Sequence, residues 1–273
     1  MTRTSFPSAH TTAVSPYRRA RHRLRTHVSE HPLGYLAFAR HKYTGHNVEV
    51  IGSDTELVID GFTRSATTFA VYAFQLSQDR PIRLAHHLHA PAQLIEAARR
   101  GIPAVLLIRK PQGTILSQLI REPDVSLRGA LFAYSRFYEH LLPYRKSFVI
   151  GEFKQVTHEF GAVIRQLNAR FGTHFAEFTP SDANVRECFE LCRLRETMSP
   201  ALLGFESGLV TRDQVRSELQ SARGAVSQEE PEAWVPSAQR ERAKEALRDQ
   251  WLDPSLARLR DRAELVYQQF STG

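Results

Sequence analysis

From Thr55 to Phe171 the chain keeps one rhythm: a short aliphatic run, a turn, then a segment of helical period. The clearest run is Ala104-Val105-Leu106-Leu107-Ile108. An apolar stretch of this length with no polar alternation is a strand covered on both faces. Comparable runs lie at 55–60, 83–87 and 147–151, and helical segments are expected at 67–78, 91–100, 112–121, 127–145 and 157–171. Such alternation predicts an α/β fold: three layers, with a mostly parallel central sheet and helices on both faces. Ligands of these sheets gather at the carboxyl ends of the strands.

Around this core, expected over 55–180, the composition changes. After residue 180 only helical patterns remain, so 181–273 is expected to be a helical C-terminal part of the same domain. Asp253-Pro254 is a helix start, with Asp as cap and Pro in the first turn. Leu256, Leu259, Ala263, Val266, Tyr267 and Phe270 follow on one face, and 224–236 has loop composition. Residues 1–54 form a basic N-terminal extension. Its first 16 residues are Ser/Thr/Pro-rich and expected to be disordered. A dense basic run, Tyr17-Arg18-Arg19-Ala20-Arg21-His22-Arg23-Leu24-Arg25, comes next; it suits contact with an acidic surface or a solvated helix on the domain's flank.

The 273 residues carry a formal charge of +7, which favours anionic ligands without choosing among them. Cys188 and Cys192 stand four apart in a helical pattern and are read as reduced and partly buried. No apolar run reaches membrane-span length and no secretory h-region is present, so a cytoplasmic location is expected.

The chemistry concentrates at two strand ends. Leu57-Val58-Ile59-Asp60-Gly61 feeds the helix from Thr67 through Phe62-Thr63-Arg64-Ser65-Ala66. A strand entering a helix through such a turn aims backbone N–H groups and the positive helix end at one spot, which suits a phosphate. The turn lacks the GxxxxGK[ST] pattern of ATP and GTP sites. After the strand ending at Ile108, Arg109 is followed eight residues later by Ser117 in the next helix. Between these motifs stands Ala85-His86-His87-Leu88-His89, with two histidines that face one way on an extended chain. An HxH pair with a third ligand would make a metal site.

Arg64-Ser65-Ala66-Thr67-Thr68-Phe69 resembles the 5′-phosphosulfate loop of sulfotransferases, Lys/Arg-Ser-Gly-Thr-Thr followed by an aromatic. Arg109 and Ser117 resemble the same family's 3′-phosphate motif. Three motifs in order and spacing place the resemblance over roughly residues 55–178, nearer the carbohydrate and bacterial branch than the phenol branch. It implies 3′-phosphoadenosine 5′-phosphosulfate as cofactor and sulfuryl transfer to a hydroxyl or amine of a small-molecule or carbohydrate acceptor. No metal and no nucleic-acid partner are expected. By this resemblance Arg64, Ser65, Ala66, Thr67 and Thr68 hold the phosphosulfate, Phe69 lies near the adenine, and Arg109 and Ser117 hold the 3′-phosphate. Arg64 meets charge on the bridging oxygen. The base is His87, 22 residues ahead of Arg109, with His89 as competitor and Glu96 or Glu152 as carboxylate alternatives. Ala66 stands where the family has glycine, and the family's late Arg-Lys-Gly triplet is absent; Arg240-Glu241-Arg242-Ala243-Lys244 is the nearest basic cluster. A P-loop kinase and a non-catalytic nucleotide- or nucleic-acid-binding protein on the same fold are the rival readings.

Overall fold

The computed structural model describes residues 15–43, 48–197, 199–222 and 237–271. The expectations for residues 1–14 and for the 224–236 loop lie outside the described residues. Two helices open the chain, α1 (Pro16–Val28) and α2 (Pro32–Lys42). The core then runs β1 (Leu57–Gly61), α3 (Thr67–Ser77), β2 (Leu84–His86), α4 (Pro91–Arg100), β3 (Ala104–Ile108), α5 (Pro111–Arg121), α6 (Leu127–Glu139), β4 (Val149–Glu152), α7 (Phe153–His158) and α8 (Phe160–Phe171). The remainder is helical: α9 (Asp182–Leu194), α10 (Pro200–Glu206), α11 (Arg212–Ala222), α12 (Ala238–Ala246), α13 (Arg248–Leu252) and α14 (Ala257–Ser271). No described helix is long and apolar enough to cross a membrane.

The four strands form one all-parallel sheet in the order β2-β1-β3-β4. Period-two alternation sends their side chains to two cores. Leu57, Ile59, Val105, Leu107 and Val149 pack with Phe74 of α3, Ile164 of α8 and Leu191 of α9. Val58, Leu106 and Ile108 pack with Leu94 of α4, Ile115 of α5, Tyr134 of α6 and Phe270 of α14. Burying both faces explains why these strands are aliphatic throughout. The C-terminal helices join both layers. So does part of the N-terminal extension: Tyr35, Leu36, Ala39 and Ile51 belong to the core, and Glu49 bridges antiparallel to His86.

The chain departs from the expected boundaries in three places. The helix expected over 127–145 stops at Glu139, and a 3-10 turn, Leu142–Ser147, carries Pro143, which has no N–H for a continuing α-helix. The helix expected over 157–171 is two, because α7 starts directly from β4 and Glu159, at φ −137°, breaks it from α8. β2 ends at His86, since His87 turns to φ 58°. Cys188 and Cys192 are free and buried, and Asp253 caps the turn leading into α14 by accepting from the Ser255 N–H.

Candidate functional site

In the order β2-β1-β3-β4 the chain moves outward from β1 to β2, then crosses back to β3. Successive connections therefore diverge at the carboxyl ends of β1 and β3, the crevice where ligands of open parallel sheets bind. Both sequence motifs end there. Gly61 lets the two strands close up, since a Cβ on it would sit 2.3 Å from the Leu107 carbonyl oxygen. Phe62 then anchors the turn edge-on against Tyr134 and Phe137. Arg64 and Ala66 both take positive φ, 66° and 75°. The alanine in the glycine position is thus in the left-handed region, a conformation that costs a residue with a Cβ roughly 1–2 kcal/mol. Strain of this kind concentrates where a turn must hold a ligand-facing geometry.

The turn delivers α3 with no side-chain cap on its first N–H groups. Thr67 Oγ1 is buried there without a hydrogen-bond partner. Ser65 is fully buried, 3.5 Å from the Tyr138 hydroxyl, and Tyr138 in turn donates to the Leu107 carbonyl. Phe69 points elsewhere. Its ring lies 5.3 Å from Phe189 and 6.2 Å from Phe178, inside the core under α9. The loop aromatic expected beside a nucleotide is a core residue, because that face of α3 is covered by the C-terminal helices.

Two guanidinium groups meet on Ser117, and a third is tied to the turn beside them. Arg64 Nε donates to Ser117 Oγ at 3.1 Å and Arg240 Nη2 donates to it at 2.9 Å. Arg109 Nη1 donates to the Arg64 carbonyl at 3.1 Å, and its guanidinium lies 3.8 Å from the Phe153 ring centre. With both lone pairs engaged, the Ser117 hydroxyl keeps its proton for another acceptor. Burial, then the neighbouring Arg240, Arg121 and Arg109, push Arg64 down to about 9. Burial and Arg240 push Arg109 down to about 10. Mutual depression among buried cations marks a place where an anion would be strongly favoured. On α5, Thr114 Oγ1 and Gln118 Oε1, one turn before Ser117 and one residue after it, are also buried without partners. Arg240 comes from the basic cluster 240–244 named above as the nearest to the family's missing triplet. Ser237 caps α12 through the Arg240 N–H and sets that side chain over α5.

The two histidine rings lie 5.8 Å apart, edge to face, but in different surroundings. His87 is buried, with Nε2 3.1 Å from Thr68 Oγ1 and Nδ1 2.7 Å from His86 Nδ1. Burial, then Arg195, hold its pKa well below the usual imidazole range. His89 is 24% exposed and lines a cleft of about 150 Å³ with Tyr35, Phe62, Phe137 and Glu122. Its Nδ1 is 2.8 Å from the Gly61 carbonyl and 3.2 Å from Asp60 Oδ1. Both partners are acceptors, so in the neutral imidazole Nδ1 carries the proton and Nε2 the lone pair. Asp60 is fully buried and accepts from the N–H groups of Gly61 and His89 and from Gln93 Nε2. Of the carboxylate alternatives, Glu152 accepts from the Tyr267 hydroxyl, and Glu96 sits mid-way along α4, away from the strand ends.

His86, His87 and Glu206 come close enough to hold a metal ion. Glu206, however, already accepts from Arg195 Nε at 2.6 Å, Arg195 Nη2 at 3.1 Å and the Tyr72 hydroxyl at 2.6 Å. A cation there would lie against a buried guanidinium, so the cluster reads as a buried polar support beneath the loop. It has a pH signature. His86 is pushed down to about 3 by burial and Arg195, and His87 is also depressed. Unfolded, both bind protons below about pH 6.5. The unfolded state then binds more protons than the native one, so stability falls as pH drops from that point toward 3. The expected slope is up to about 1.4 kcal/mol per pH unit for each histidine. Denaturant melts from pH 7 to 4 check this; stability independent of pH across that range would contradict it.

No protein-family model matches this chain, nor does any curated protein sequence.

Proposed function

We propose that the chain is a sulfotransferase, moving a sulfuryl group from 3′-phosphoadenosine 5′-phosphosulfate to an acceptor hydroxyl or amine. The observation that carries this reading is the convergence of Arg64 and Arg240 on Ser117, with Arg109 held on the Arg64 carbonyl, beside an uncapped helix start at the divergence of β1 and β3. Two anionic groups need two grips. The turn and α3 start suit the 5′-phosphosulfate, through backbone N–H groups, Thr67, Thr68 and Arg64. Arg109, Ser117 and Arg240 suit the 3′-phosphate, because a planar guanidinium binds phosphate oxygens bidentately.

The acceptor's proton goes to His89 rather than His87 in this reading. Both nitrogens of His87 are engaged within the protein, and its depressed pKa makes it a weak base. His89 offers Nε2 beside a cleft, with Asp60 and the Gly61 carbonyl fixing its tautomer. The kinase reading is weaker, because Asp60, the acid at the strand end, has its oxygens engaged by Gly61, His89 and Gln93.

Titration with adenosine 3′,5′-bisphosphate and adenosine 5′-monophosphate tests the assignment. The bisphosphate binds tighter by about tenfold to a hundredfold, the value of one charge-assisted phosphate contact, and Arg109→Ala erases the difference. Equal affinity in the wild type refutes it. Transfer of labelled sulfate to an acceptor panel separates an enzyme from a binding protein.

A further inference from the structure

We infer that α1 and the start of α2 dock the protein on an anionic lipid surface. Tyr17, Leu24 and Val28 recur at helical spacing on α1 and are exposed, Tyr17 by 74% and Leu24 by 64%. They lie opposite His22 and Thr26, the half-buried residues through which α1 meets the domain. Across the turn, Leu33 is 89% exposed. Apolar residues strung along adjoining helices mark an interaction surface rather than isolated exposure.

The charge around them selects the occupant. Within α1 stand Arg18, Arg19, Arg21, Arg23 and Arg25 and no acidic residue, and α2 ends in Arg40, His41 and Lys42. A helix with an apolar stripe flanked by arginines lies in the interface of a bilayer, its side chains reaching up to lipid phosphates while their stems cover apolar surface. One flank of α1 also closes, with Arg128 and the start of α6, a cavity of about 240 Å³ lined by Arg18, Arg19, His22 and Arg23 and by Asp124, which pairs with Arg18. Its size suits a phosphate headgroup, and Arg19, Arg23 and Arg128 outnumber its one carboxylate, which Arg18 already pairs. A second copy of this chain is disfavoured, since a two-fold contact would set one arginine row against the same row. Nucleic acid would leave Leu24 and Leu33 in water. Docking stands on these residues alone and does not depend on the transfer reaction.

The test is co-sedimentation of the full chain with vesicles of phosphatidylcholine alone and of phosphatidylcholine mixed with phosphatidylglycerol. Binding is expected to the mixed vesicles only, and to weaken as salt rises. The Leu24→Ser/Val28→Ser/Leu33→Ser variant, with an unchanged melting midpoint as fold control, loses about tenfold or more in partitioning. Arg21→Ser loses about fivefold, the share of one cation at such a surface. Absence of vesicle binding overturns the inference, as does binding unaffected by the triple variant. A dimer in solution that the triple variant dissolves, without vesicle binding, assigns the face to self-association and overturns it equally.

Discussion

Replacing Arg195 with methionine destabilises the protein by about 3–5 kcal/mol, the cost of leaving one partner of a buried ion pair uncompensated. Arg195 and Glu206 are each 1% exposed and joined by two hydrogen bonds. Burial raises the Glu206 pKa even with Arg195 present, while Arg195 and Tyr72 oppose the rise. Without Arg195 the carboxyl takes up a proton more readily still. The native variant then holds a proton that the unfolded chain releases above about pH 4.3. Its deficit against the wild type therefore grows as pH rises from the wild-type Glu206 pKa, itself raised, toward the variant's higher one, and is constant below that window. Arg195→Met/Glu206→Gln recovers most of the loss, because the amide still accepts from Tyr72 and no charge remains buried. Urea melts of the three proteins at two pH values check this. A single variant within about 1 kcal/mol of the wild type, well under the usual penalty for such a break, would mean water reaches the pair.

That pair shows where sequence reading stops. The strands were legible because burial on both faces demands unbroken aliphatic runs, and a run such as 104–108 has few other uses. The convergence of the 61–66 turn with Arg109 was legible for a related reason: alternation implies parallel strands, and parallel strands put both turns at one edge. Glu206 touches Tyr72 from 134 residues away, and nothing in a helical stretch such as 200–206 distinguishes a buried carboxylate from a solvated one. Arg240 was hidden in the same way, as one cation in a charged helix whose packing on α5 follows from long-range contacts. The different surroundings of His87 and His89 were not legible for a local reason. Two residues apart on an extended strand would face alike, but both take positive φ, 58° and 50°. The chain leaves β2 after His86, and the twist sends one ring into the polar cluster and the other into the cleft. Phe69 lies in the core because the C-terminal elements cover that side of α3, which a sequence does not reveal.

Arg64→Ala is expected to lower turnover by about a hundredfold to a thousandfold, the size of effect seen when one preorganised donor to developing charge is removed. In the proposed reaction negative charge grows on the bridging phosphate oxygen only as the S–O bond breaks. Arg64 already lies among Arg109, Arg121 and Arg240, which oppose its own charge. It therefore gains most when the charge facing it is greatest, which favours the transition state over bound cofactor. Ground-state affinity is shared with the α3 N–H groups and the other arginines, so the dissociation constant for adenosine 3′,5′-bisphosphate should move much less than kcat. His89 acts at the other end of the displacement. His89→Ala should slow transfer most for acceptors whose hydroxyl pKa is high and least for those already acidic. Asp60→Asn should share that dependence, since it loosens the Nδ1–H that keeps Nε2 open. His87→Ala should act mainly on stability and on cofactor affinity, through Thr68 at 3.1 Å. If His87→Ala instead reproduces the dependence on acceptor pKa and His89→Ala does not, the base lies inside the polar cluster and the cleft beside His89 is not where the acceptor binds.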